Sequence, residues 1–139
     1  MFPVTYTHQH DYLYESRDRR FPGLVIQVQN PDAPDRPVEV RAHLDSGAEY
    51  SLFNGWIAHT IGLDLYSGLE RIYASTTGDT VQARVHRVNL VHPELGTLDL
   101  NIGFSTDPIR RNLLGRDFFN LIQIGFRERH LVYYITPTP

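Results

Sequence analysis

The chain has no cysteine, and only one methionine and one tryptophan, in 139 residues. The missing cysteine excludes disulfides, thiolate zinc sites and cysteine nucleophiles together. A surplus of one charge is also missing. Net charge is −3 and the sequence pI is about 6.1, so no global field recruits nucleic acid. The 13 basic residues are scattered, and the short clusters Arg17-Asp18-Arg19-Arg20 and Arg110-Arg111 read as solvated surface. No apolar run approaches the roughly 20 residues of a membrane helix. The opening Met1-Phe2-Pro3-Val4-Thr5 lacks the basic-then-apolar order of a signal peptide. These absences lead to the expectation of a cytoplasmic protein without membrane or nucleic-acid partners.

What is present suffices for one core: 41% of residues are hydrophobic and 12% aromatic. Residues 1–20, with Tyr6, Tyr12, Leu13 and Tyr14 as anchors, read as an arm or edge strand, and 21–139 as the domain. Strand signals dominate that domain. They fall at Leu24–Val28, Val38–Leu44, Tyr50–Phe53, Leu69–Ser75, Val81–Val91, Thr97–Phe104, Ile122–Phe126 and Leu131–Ile135. Asn30–Pro37 reads as a loop from its proline and aspartate content. Trp56–Ile61 reads as one or two helical turns closed by Gly62, and a helix is expected to start near Arg116. Thr76-Thr77-Gly78-Asp79 marks a hairpin between two alternating runs.

Chemistry concentrates at Asp45-Ser46-Gly47-Ala48, directly after the alternating Val38, Val40, Ala42 and Leu44. A carboxylate at a strand end is followed by a hydroxyl, a glycine and a small residue. That order suits an acid held in a tight, backbone-lined turn. Other readings are weaker. His43 and Asp45 do not form a Ser-His-Asp arrangement with Ser46, because Leu44 stands where a nucleophile elbow needs glycine. The seven histidines invite a metal reading, but His8 and His10 are two apart on the arm alone, so no metal is expected. Arg116-Asp117 by itself reads as a charge pair at a helix start.

A second motif, Leu113-Leu114-Gly115-Arg116-Asp117-Phe118, follows farther along. Together with Leu44-Asp45-Ser46-Gly47-Ala48 and a mid-chain hairpin tipped by Gly78, it resembles the retropepsin-like aspartic protease family over residues 24–135. The resemblance implies an all-β, single-lobe, closed antiparallel acid-protease barrel with one short helix. It also implies a homodimeric endopeptidase acting on peptide or protein substrates, each chain giving one aspartate and no metal or cofactor being needed. Asp45 would be the catalytic acid, and Ser46 would bond across the dimer axis. Gly47 would present its carbonyl to substrate, and Ala48 would keep the floor small. Glu49 would pair with Arg116. Leu113, Leu114 and Gly115 would support the turn from below. Thr76, Thr77, Gly78 and Asp79 would tip the flap, which has fewer glycines than viral flaps. Leu131–Ile135 is the favoured interface strand, with the N-terminal arm, crossing over or capping the cleft, as the alternative. The alternative is a module of the same fold that binds peptide or dimerises without cleaving.

Overall fold

Alternation along Val38–Leu44 builds one wall of the molecule: Val40, Ala42 and Leu44 are buried while Glu39 and Arg41 face solvent. The computed structural model describes residues 3–75 and 77–138. Its strands are β1 His8–Asp11, β2 Leu13–Ser16, β3 Arg19–Phe21, β4 Gly23–Asn30, β5 Ala33–Leu44 and β6 Leu52–Phe53. They continue as β7 Leu69–Ala74, β8 Thr80–His92, β9 Gly96–Ser105, β10 Asn112–Leu114, β11 Ile122–Arg127 and β12 Val132–Pro137. Two short helices, α1 Gly55–Thr60 and α2 Arg116–Phe119, lie where the sequence signalled helical turns. That is one more than the family resemblance implied. The first exists because Ile57, Ala58 and Ile61 share a buried face, and Gly62 ends it at φ 87°.

The main sheet runs β4-β5-β10-β6-β9-β8-β7, and β8 pairs back onto β4 through Gln27–Val91, Val28–Leu90 and Gln29–Asn89. Strands β4, β5, β10, β6, β9 and β8 therefore form a closed ring, with β7 carried outside it as a hairpin on β8. Most pairings are antiparallel; β5–β10 and β6–β9 are parallel. Val28, Ala42, Phe53, Val88, Leu90, Ile102, Phe104, Leu114 and Phe118 are buried together in its core.

Two expectations change here. Asn30–Pro37 is not a loop, since β5 already starts at Ala33 and only residues 31 and 32 turn. Pro34 and Pro37 are tolerated because they lie exposed at positions with no ladder partner, so no donor is lost. Leu131–Ile135, the expected interface strand, has no free edge. β12 is the middle strand of a second sheet, β1-β12-β11, held by β1 on one side and β11 on the other. The free edges of that sheet belong to β1 and β11. The Tyr133 hydroxyl donates to the Gly23 carbonyl at 2.8 Å and joins the small sheet to the ring. Among the described residues, no helix is long and apolar enough to cross a membrane.

Candidate active site

Strands β5 and β10 run side by side in parallel, pairing Ala42 with Asn112, His43 with Leu113 and Leu44 with Leu114. Parallel register brings both to the same end of the ring. There the Asp45 N–H donates to the Leu114 carbonyl at 2.9 Å. The chain then turns back, with the Ala48 N–H on the Asp45 carbonyl at 3.2 Å. The Gly47 N–H donates to Asp45 Oδ1 at 2.9 Å, an Asx turn that fixes the carboxylate against its own backbone. Asp45 Oδ2 has no protein partner among the described residues. Asp45 is half-buried, and Ser46 and Gly47 are exposed, so the apex of the turn faces solvent.

Below the turn, backbone meets backbone. The Arg116 N–H donates to the Ala48 carbonyl at 2.8 Å, and the Asp117 N–H to the Glu49 carbonyl at 3.2 Å. A Cβ on Gly115 would stand 2.6 Å from that same Ala48 oxygen, so only glycine allows this approach. Ser51 is the hub. Its hydroxyl donates to Asp117 Oδ1 at 2.6 Å and accepts the buried Gly115 N–H at 2.9 Å. Its own N–H donates to Asp117 Oδ2 at 2.9 Å. The Tyr73 hydroxyl, from β7, donates to the Ser51 carbonyl at 2.9 Å and anchors the hairpin to the same base. Burial pushes the Tyr73 phenol above its ordinary range, with Arg71 opposing, and keeps it a donor.

The turn Asp45-Ser46-Gly47-Ala48 and the segment Leu113-Leu114-Gly115 are thus brought together. Leu114 is buried, and Leu113 also pairs with Leu52. The expected Glu49–Arg116 ion pair is absent among the described residues. Both side chains are exposed, and it is the backbone groups around them that carry the link. Thr77, Gly78 and Asp79 sit at the tip of the β7–β8 hairpin, and Thr76 lies outside the described residues. The tip is knit by polar groups. The Ser75 N–H donates to the Asp79 carbonyl at 2.9 Å, and the Ser75 and Thr77 hydroxyls are 2.7 Å apart. Gly78 takes φ 89°, which a side chain resists.

Ser51 and Asp117 escape a reading of the sequence. Each looks ordinary by itself, a polar residue near a short strand and an acid in a first helical turn. Only the fold places the Asp117 carboxylate across both donors of Ser51. His43, two residues before Asp45, stacks on Phe21 with ring centroids 3.8 Å apart. Burial, and after it the charge of Arg111, hold its imidazole below the ordinary histidine range.

No family model and no curated protein sequence matches the chain. Solved structures do match. A retropepsin-like aspartic protease from Rickettsia conorii superposes with a TM-score of 0.63 at 17% identity, covering 98% of this chain and 97% of that one. EIAV protease complexed with an inhibitor superposes with a TM-score of 0.53 at 15% identity, covering 78% of this chain and 91% of that one. The fold is therefore the single-lobe, retropepsin-like one.

Proposed function

We propose that this retropepsin-like chain is an aspartic endopeptidase that works as a homodimer, one Asp45 coming from each copy. The supporting observation is the Asp45 turn. One carboxylate oxygen is tied to the Gly47 N–H and the other has no partner among the described residues, on a solvent-facing apex with backbone packed beneath. A single chain offers one such acid, and a mechanism in which one carboxyl acts as base and another as acid needs two. Two copies of the turn brought together by a two-fold axis supply them.

Carboxyl groups a few ångströms apart do not both ionise, so one keeps a proton. The ionised Asp45 takes a proton from water as the water oxygen bonds to the scissile carbonyl carbon. The protonated Asp45 of the other copy donates to the carbonyl oxygen. Collapse of the tetrahedral intermediate breaks the C–N bond, and the leaving amine takes up a proton from the pair. The pair titrates as a unit. The β7–β8 hairpin, anchored at its base by Tyr73, serves as the flap that covers the peptide and excludes water.

The test is Asp45→Asn. Cleavage of a diverse peptide pool is expected to fall by on the order of 10⁴-fold, with circular dichroism and light-scattering mass unchanged. Cleavage that survives the substitution overturns the mechanism.

A further inference from the structure

Near the Asp45 turn, where β5 and the start of β10 meet β2 and β3, lies a cavity of about 400 Å³ whose lining includes Arg41, His43, Arg110 and Arg111. His43 precedes Asp45 by two residues, which in a strand places their Cα atoms about 7 Å apart. That is also about the spacing of alternate side chains along an extended peptide. The Arg110-Arg111 pair, which reads as solvated surface in the sequence, leads directly into β10 at Asn112.

The lining carries three guanidinium groups against one carboxylate, Glu15. Arg111 spends one nitrogen on Glu15 Oε1 at 2.5 Å, while its Nε is buried with no partner among the described residues. Arg41 donates to the Tyr14 carbonyl at 2.6 Å and lies 5.4 Å from the Phe21 ring centroid, a contact that leaves its charge uncancelled. Arg110 has no ion-pair partner among the described residues. A buried guanidinium N–H without an acceptor is costly, and an anion in the cavity removes that cost. The Phe21–His43 stack supplies an apolar floor for the methylene stem of a glutamate.

We infer that this cavity takes the acidic side chain of a peptide residue adjoining the scissile bond. The inference rests on the peptidase reading and names the substrate class for it: peptides with glutamate or aspartate next to the bond cut.

The experiment pairs cleavage by the wild-type chain with fluorescence-anisotropy binding to the Asp45→Asn chain. Both use matched peptides carrying Glu, Gln, Leu or Lys on either side of a central bond. The expected result is a preference for Glu over Gln of at least about tenfold in kcat/KM and in Kd. Arg111→Gln and, separately, the exposed Arg110→Gln are expected to shrink that preference while cleavage of the Leu peptide persists. Arg87→Gln, which removes an arginine paired with Asp99 on the surface, is expected to leave the preference intact. Cleavage that favours Leu, or a Glu preference unmoved by both cavity variants, overturns the inference and leaves the peptidase reading standing. No cleavage of any peptide overturns the peptidase reading, and the binding arm then decides the cavity: equal Kd for Glu and Gln peptides overturns it.

Discussion

Ser51 carries more of the site than any residue that the motif names. Its hydroxyl is the acceptor for the buried Gly115 N–H, so Ser51→Ala strands that donor. The expected loss is about 1–3 kcal/mol in urea unfolding, together with reduced cleavage because the support under Asp45 loosens. Asp117→Asn keeps one carbonyl acceptor for Ser51 and is expected to cost less than Asp117→Ala. Gly115→Ala acts sterically. Its Cβ meets a backbone oxygen that cannot rotate away, and a penalty of about 1–3 kcal/mol is expected from the same unfolding measurement. At this scale the sequence is informative where a residue type is unusual for its place. Asp45 and Gly115 are legible because an acid and a glycine directly follow apolar strand residues, and Gly47 because it sits in the turn after that acid. Ser51 and Asp117 are not, because hydrogen-bond partners 66 residues apart leave no local pattern.

Among elements, the strands with clean alternation or long apolar runs are the ones the sequence locates well: β4, β5 beyond Val38, β8, β9 and β11. The start of β5 is hidden by its prolines, whose cost depends on whether a partner needs their N–H, and that is a tertiary fact. The position of β12 is hidden for a similar reason. Its composition identifies a strand but not its neighbours. β1 covers one edge of it with four residue pairs, and His8 and His10 add contacts to Glu94 at 3.1 and 2.5 Å. A chain starting at Tyr12 loses that cover. Each ladder hydrogen bond is worth about 1 kcal/mol, and an uncovered edge recruits other strands. The shortened chain is expected to unfold at lower urea and to show a concentration-dependent rise in mass by light scattering.

For the molecule as a whole, pH sets a limit. Burial holds both His43 and His92 below the ordinary histidine range, with Arg111 adding to the effect at His43. At His92 the ring Nδ1 accepts the Glu94 N–H at 3.1 Å, a bond that a protonated Nδ1 cannot make. The unfolded chain therefore takes up these protons first, at about pH 6.5. Their contribution to stability is full above that pH and is lost as pH falls toward the folded-state values. The melting temperature is expected to drop between pH 7 and pH 5, and His92→Gln should flatten that drop.

The ladder between β1 and β12 sets residue 8 beside residue 135, and the ring shuts only when β8 reaches back to β4. Neither closure is local, so most of the chain must lose its freedom before these contacts return any energy. Time is where this shows. Refolding belongs in the range of roughly milliseconds to seconds typical of such non-local sheets. Until it finishes, the turn that holds Asp45 against the Leu114 carbonyl does not exist.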